Sequence, residues 1–101
     1  MLELNKDNFK KEVLESAVPV LVDFFATWCG PCKIMMPIVE ELAAAAGQNF
    51  KVAKINVDEA NDLAQEYEVM SIPTFIVFKN GKETERVMGA QAKEKLLELL
   101  K

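Results

Sequence analysis

The sequence predicts one α/β domain, a mixed β-sheet with helices on both faces. Strand-like and helix-like segments alternate along the 101 residues, as they do where helices connect parallel strands. Residues 20–26 are nearly all apolar, which is typical of a strand covered on both faces. Two later β-rich runs are joined by Asn80-Gly81, the pair best suited to a tight antiparallel hairpin.

The first half of the chain predicts two strands and two helices. A short strand covers residues 2–4, and a helix capped by Asp7 or Asn8 follows to about residue 17. After the buried strand, a long helix is predicted over residues 31–46, because apolar side chains recur at helical spacing and Gly47 follows. Its inward side chains are predicted to be Ile34, Ile38, Leu42 and Ala45.

The second half predicts a βαβ unit that leads into a hairpin and a closing helix. Residues 52–57 alternate like a strand, and residues 60–67 predict a short helix. Residues 74–79 and 82–88 are the two arms of the hairpin, and residues 93–100 form an amphipathic helix. The elements therefore give a sheet that is parallel on one side and antiparallel on the other.

Composition and charge exclude several classes of partner. Half of the residues are hydrophobic and 28% are charged, which is ordinary for a globular domain. The net charge is −4 and the 12 basic residues are scattered, so nucleic acid is not expected to bind. No membrane-spanning run and no export signal are visible, which predicts a cytoplasmic protein; a mature form trimmed of its leader would look the same. We expect the protein to be a monomer.

The segment Cys29-Gly30-Pro31-Cys32 lies where the buried strand ends and the long helix begins. With two cysteines and no histidine, the chain has too few ligands for zinc unless two copies share a site. Covalent haem needs a histidine where Lys33 stands. Inert buried cysteines remain possible, but a redox pair is favoured. Pro31 suits the first helical turn, so the Cys29 sulfur would lie beside unpaired N–H groups that stabilise a thiolate.

A carboxylate interrupts the buried strand at Asp23, on the same strand face as Leu21 and Phe25. Buried aspartate is rare unless it is paired. The residues alone leave two roles open, a structural carboxylate held by backbone donors and a group that exchanges protons with the cysteines. Burial would raise the pKa of Asp23, whereas Lys54 on the third strand would lower it. Taken by itself, Lys54 is more typical of a surface lysine.

Several short segments together resemble the thioredoxin family over the whole chain. They are Trp28-Cys29-Gly30-Pro31-Cys32-Lys33, Ile72-Pro73-Thr74, Phe78-Lys79-Asn80-Gly81 and Gly89. The resemblance implies one thioredoxin domain over residues 1–101, with five strands in the order first, third, second, fourth, fifth, four flanking helices and a dithiol exposed at the sheet edge. Phe25 departs from the family, many members of which carry a second tryptophan there.

The resemblance also implies the reaction and the residues that perform it. The chain would reduce disulfides in client proteins, with Cys29 as the attacking thiolate, Cys32 as the resolving thiol and Asp23 as the general base. Lys54 would be the fourth catalytic residue. A cis Ile72-Pro73 bond would lie beside the cysteines. The implied substrate-binding residues are Trp28, Gly30, Pro31, Ile72, Pro73 and Gly89, and Met70 and Ala90 would extend this apolar rim.

The family further implies that the redox disulfide is the only redox group, with no cofactor and no metal. A flavin-containing thioredoxin reductase would use NADPH to reduce the Cys29–Cys32 disulfide again. Three other functions stay open: a disulfide oxidase or isomerase, a binding module that uses the rim whatever the thiol state, and a dimer that holds zinc or an iron–sulfur cluster. Gly30-Pro31 between the cysteines favours the reductant.

Overall fold

The computed structural model describes residues 1–101 and has a five-stranded sheet in the order β1-β3-β2-β4-β5. The strands are β1 (Leu2–Glu3), β2 (Val20–Phe25), β3 (Lys51–Asn56), β4 (Thr74–Lys79) and β5 (Lys82–Met88). The helices are an N-terminal π-helix (Lys10–Leu14), α1 (Gly30–Ala45), α2 (Asn61–Glu66) and α3 (Lys93–Leu99). The predicted α/β class, strand order and four helices are confirmed. None of the helices combines the length and apolar character needed to cross a membrane.

The central strand of the sheet is β2, which explains its unbroken burial. It pairs in parallel with β3 on one side and antiparallel with β4 on the other. The β4–β5 hairpin turns at Asn80 and Gly81, whose φ angles of 54° and 78° lie in the left-handed region that such a turn requires. The sequence prediction of this hairpin is confirmed with both strands at their predicted bounds.

Side chains alternate along β2 and divide the interior into two cores. One core lies under the π-helix and α2 and is built on Val20, Val22 and Phe24 of β2. The other lies under α1 and α3 and receives Leu21 from β2. Since successive residues of a strand point to opposite faces, Asp23 belongs to the same face as Leu21 and lies under α1.

The N-terminal helix differs from its prediction. Only Lys10–Leu14 is regular, as a short π-helix, and not residues 7–17. The N-cap of the π-helix is Phe9, and no side chain caps it, so the prediction of Asp7 or Asn8 as the cap is wrong. In the turn before the helix, the Asn5 side-chain oxygen accepts the N–H groups of Asp7 at 2.8 Å and Asn8 at 3.1 Å. The Asn8 side-chain oxygen accepts the Asn5 N–H at 2.9 Å.

The buried side of α1 also differs from its prediction. The side chains that α1 buries are Cys32, Met35, Val39 and Leu42. Of the four predicted residues, Leu42 is buried and Ile38 is half-buried, but Ala45 is exposed and Ile34 is 71% exposed. Met35, Val39 and Leu42 pack in the core with Leu21 of β2 and with Leu96 of α3, and these contacts with other elements determine which side of α1 is buried.

Candidate active site

A disulfide joins Cys29 and Cys32 at the start of α1, and their Cα atoms lie 5.2 Å apart. Cys29 is the N-cap of the helix, with extended backbone, and Pro31 stands in the first turn as predicted. The Cys29 sulfur accepts the backbone N–H of Cys32 at 3.2 Å. The Cys32 N–H, which has no partner inside the helix, and the helix dipole therefore both act on the Cys29 sulfur. Both favour negative charge there.

The two cysteines differ in accessibility, although less than the resemblance implied. Cys29 is 5% exposed and Cys32 is 1% exposed, so the expectation of an exposed dithiol is wrong for both residues. They pack with Phe25 and Ala26, and Ile72 also contacts this cluster. Apolar side chains therefore cover the pair, and Cys29 is the slightly more exposed residue of the two.

Asp23 is fully buried, and neither of its carboxylate oxygens has a hydrogen-bond partner. The interpretation of Asp23 as a carboxylate held by backbone donors is therefore wrong. Burial raises the pKa of Asp23 to about 7, and the positive charge of Lys54 opposes part of that rise. A carboxyl group with this pKa both takes up and releases protons near neutral pH.

Lys54 lies beside Asp23, because the two residues are paired in the parallel register of β2 and β3. Its ammonium group is 5.5 Å from the centroid of the Phe25 ring, which is a cation–π distance. The Lys54 ammonium and the Asp23 carboxylate form no direct ion pair, so the lysine lowers the pKa of Asp23 through its electric field at a distance. Phe25, the departure from the family, is thus in contact with the site.

Three of the residues predicted to form an apolar rim lie together, whereas Gly89 and Ala90 do not line the same cavity. Trp28, Met70 and Ile72 line a shallow cavity of about 220 Å³. The Ile72-Pro73 bond is cis, as the resemblance implied. The Pro73 carbonyl accepts the N–H of Gly89 at 2.8 Å, which joins the end of β5 to the rim. Gly30 and Pro31 are exposed beside Cys29.

The sequence did not single out Asp58, whose carboxylate accepts the indole N–H of Trp28 at 2.8 Å. The two residues are 30 positions apart. A signal was available, because Trp28 follows β2 and Asp58 follows β3, and the carboxyl ends of parallel neighbours meet at one edge of a sheet. The hydrogen bond orients an indole that is otherwise largely exposed.

A second cavity, of about 360 Å³, approaches the disulfide from the other side and was also missed. Cys32 lines it together with Phe25 and Met36, and Lys33 stands in its wall. Met36 lies four residues after Cys32 on α1, so helical spacing could have indicated this contact. No group of three or more histidine, cysteine, aspartate or glutamate side chains is placed to hold a metal ion.

A disulfide at a helix N-terminus, above a buried carboxyl group that titrates near neutrality, defines a thiol–disulfide oxidoreductase. The thioredoxin family model matches residues 1–101. The chain therefore belongs to the thioredoxin family. The enzyme's redox group is its own cysteine pair.

Individual relatives agree with this assignment. "Thioredoxin" of Mycolicibacterium smegmatis is 53% identical over 93 residues, covering 90% of this chain and 83% of the relative. "Thioredoxin M-type, chloroplastic" of Chlamydomonas reinhardtii is 50% identical over 95 residues, covering 94% and 68%. "Bifunctional thioredoxin reductase/thioredoxin" of Mycobacterium leprae is 46% identical over 96 residues, covering 95% of this chain but 21% of that longer protein.

Proposed function

We propose that this oxidoreductase is a general reductant of disulfides in client proteins and that Cys29 performs the first attack. The observation that carries the proposal is the Cys32 N–H directed at the Cys29 sulfur at 3.2 Å. This hydrogen bond and the positive end of α1 favour negative charge on the Cys29 sulfur, as a thiolate requires. The greater accessibility of Cys29 supports the same order of attack.

The reaction consists of two thiol–disulfide exchanges. In the first, the Cys29 thiolate attacks one sulfur of the client disulfide, forms a mixed disulfide and expels the other client sulfur as a thiolate. In the second, Cys32 loses its proton and attacks the Cys29 sulfur. The bond between Cys29 and the client breaks, and the client leaves with both of its cysteines reduced. The enzyme has then lost two electrons and holds the Cys29–Cys32 disulfide.

Asp23 serves as the general base for the second exchange. Its pKa of about 7 matches the task, because the carboxylate is present at neutral pH and accepts a proton readily when Cys32 ionises. Lys54 is a positioning residue that keeps this pKa from rising further. Their place on the strand face beneath α1 supports these roles.

Client segments dock on the apolar rim. Its proposed contact residues are Trp28, Gly30, Pro31, Ile72, Pro73 and Gly89. The rim adjoins Cys29 through Ile72, which packs against the disulfide cluster. An extended segment of a client lies along this surface and pairs with main-chain groups of the segment that precedes the buried Pro73.

An NADPH-dependent flavoprotein, thioredoxin reductase, is the proposed electron source. The Mycobacterium leprae relative supports this, because its name joins a reductase to a thioredoxin in one chain. The protein thereby takes part in electron transport to protein disulfides and in cell redox homeostasis. We place it in the cytoplasm as a monomer, while noting that the Chlamydomonas relative is named chloroplastic.

Trapping of the mixed disulfide tests the order of attack. A Cys32→Ser variant, reduced and then mixed with insulin, should form a covalent adduct on non-reducing gels, because the second exchange is blocked. Cys29→Ser is the matched control and should trap much less. Equal trapping by the two variants would overturn the assignment of Cys29 as attacker.

Turnover tests the proposed direction of electron flow. With NADPH and a bacterial thioredoxin reductase, the unaltered chain should reduce insulin continuously, and both cysteine variants should be inactive. Titration against glutathione provides the second measurement. A reduction potential of the cysteine pair as high as that of the disulfide oxidases would contradict the role of reductant.

A further inference from the structure

Two of the five methionines lie at the rim: Met70 lines the rim cavity, and Met88 contacts Ser71, which lines the same cavity. Met70 is 93% exposed and lines the rim cavity, and Met88 is 62% exposed. Met88 ends β5 opposite Thr74, the first residue after Pro73. Its sulfur accepts a hydrogen bond from the Ser71 hydroxyl at 3.6 Å. Both thioethers therefore border the segment between Met70 and Thr74 that carries the cis proline.

The other three methionines lie in different surroundings. Met35 is fully buried beneath α1, and its sulfur accepts the N–H of Gln91 at 3.4 Å. Met36 is half-buried against the disulfide cluster. Met1 is 42% exposed, but it lines a cavity with Gly47. That cavity is at the end of α1 opposite to the disulfide. The two most exposed methionines of the chain are thus Met70, in the rim, and Met88, next to it.

We propose that Met70 and Met88 are sites of oxidation by peroxides, and that their sulfoxides weaken the docking of protein clients. The inference rests on the proposed function, because it assigns clients to the rim. Each thioether sulfur attacks one oxygen of a hydroperoxide, so that an S–O bond forms and the O–O bond breaks. The sulfur loses two electrons to the peroxide, which is reduced to water when it is hydrogen peroxide.

The physical effect follows from the change in the side chain. An unbranched thioether is flexible and polarizable, and it adapts to apolar segments of different shape. A sulfoxide is polar, and a client segment that covers it must desolvate that polar group. Because Met70 and Met88 project into solvent, their oxidation leaves both cores intact. The fold and the cysteine pair are therefore retained while the rim loses apolar surface.

In the disulfide form of the protein, oxidation of the two methionines can be measured without oxidation of the cysteines. The oxidised chain has no free thiol, so the methionines are its remaining oxidisable sulfur groups. A small disulfide needs no rim contacts, and its reduction should be insensitive to the sulfoxides. Protein clients and small disulfides should thus respond differently to the same treatment.

Peptide mapping and paired rate measurements test the proposal. The disulfide form is treated with dilute hydrogen peroxide, quenched with catalase, mapped by mass spectrometry and then reduced with dithiothreitol. Met70 and Met88 should gain oxygen first, Met1 more slowly, and Met35 last. The single-turnover rate with insulin should fall by about three- to tenfold, whereas the rate with a small aromatic disulfide should change little.

Variants assign the effect to the rim. In a Met70→Leu, Met88→Leu double variant, the ratio of treated to untreated insulin rates should stay near one, whatever its starting rate. Met36→Leu removes a thioether outside the rim and should leave the response to peroxide as it is in the unaltered chain. A double variant that loses as much insulin activity on treatment as the unaltered chain would overturn the proposal.

Other outcomes separate this inference from the proposed function. Oxidation of Met35 as fast as Met70 and Met88 would contradict the assigned sites, and so would an unchanged insulin rate after complete oxidation of both. An equal loss of rate with the small disulfide would place the effect on the cysteines and contradict the docking role.

The untreated chain tests the proposed function separately. If it reduced the small disulfide but not insulin, the client role and the inference built on it would both fail. If it reduced neither, the reductant role itself would fail, whereas the peptide map would still decide whether the two sites are selective.

Discussion

Asp23 and Lys54 are paired across two parallel strands, yet the lysine ammonium lies over the Phe25 ring and forms no ion pair with the carboxylate. The carboxyl group is buried without a single hydrogen bond. A direct ion pair would hold the pKa of Asp23 low, and complete isolation would raise it beyond neutrality. The observed arrangement lies between these limits, with a pKa of about 7.

Replacement of this carboxyl group should change how stability depends on pH. Between pH 3.8 and about 7, Asp23 is protonated in the folded protein and ionised in the unfolded chain, following its folded pKa of about 7. Unfolding then releases a proton, so stability falls as pH rises through this window and levels off above it. The Asp23→Asn variant has no carboxyl group at this position, so its stability should not show this decrease with pH.

Urea unfolding of both proteins at several pH values measures the difference. The free energy of unfolding of Asp23→Asn, relative to the unaltered chain, should rise by about 4 kcal/mol from pH 4 to pH 8, as an upper estimate. A difference that is independent of pH would show that the carboxyl group titrates normally.

Removal of the lysine charge should move the same titration upward. Lys54→Gln eliminates the only attraction that lowers the pKa of Asp23, so the pH window should extend to higher pH. The midpoint is obtained from the pH dependence of stability or from carboxyl NMR shifts. Lys51→Gln is the matched control on the same strand, because Lys51 pairs with Glu12 at 3.3 Å. Equal shifts in the two variants would contradict a specific action of Lys54.

Shortening a side chain on the buried side of α1 should destabilise the protein strongly. Leu42→Ala leaves a cavity in the core under α1 and α3 and should reduce the free energy of unfolding by about 2–5 kcal/mol. Ile34→Ala, on the exposed side of the same helix, should change it by less than about 0.5 kcal/mol. Similar losses in both variants would mean that the helix is rotated from its described position.

The hairpin turn should be intolerant of any side chain at Gly81. A Cβ atom there would lie 2.8 Å from the Leu14 carbonyl oxygen, in addition to the strain of a φ of 78°. Gly47 has a φ of 54° but open space around it, so Gly47→Ala isolates the backbone strain. We expect Gly47→Ala to lose about 1 kcal/mol and Gly81→Ala clearly more, measured by urea unfolding. Equal losses would exclude the contact with Leu14.

Local signals in the sequence were sufficient for most of the sheet and for the cysteine pair. The hairpin bounds were predictable because Asn80-Gly81 specifies its own turn geometry. The N-cap position of Cys29 was predictable because Pro31 marks a first helical turn. Asp23 could be singled out because a charged residue is rare within a buried strand.

Features that depend on contacts between distant segments were not predictable in this way. Ile34 fits a helical stripe as well as Met35 does, and the choice between them depends on how α1 packs against the sheet and α3. The bond between Trp28 and Asp58 joins two loops, and the contact of Lys54 with Phe25 depends on side-chain placement across β2 and β3. The cover over Cys29 likewise comes from Ile72, which lies far along the chain.

The donor that faces the Cys29 sulfur is a main-chain N–H, and this has a genetic consequence. Every amino acid except proline at position 32 supplies the same group, so substitutions there can abolish the second exchange while leaving this part of the first intact. In the proposed mechanism, attack and release can therefore be altered separately by mutation. On that mechanism, a lineage that lost Cys32 would retain a protein able to form mixed disulfides, and a single nucleotide change is enough to convert a cysteine codon to a serine codon.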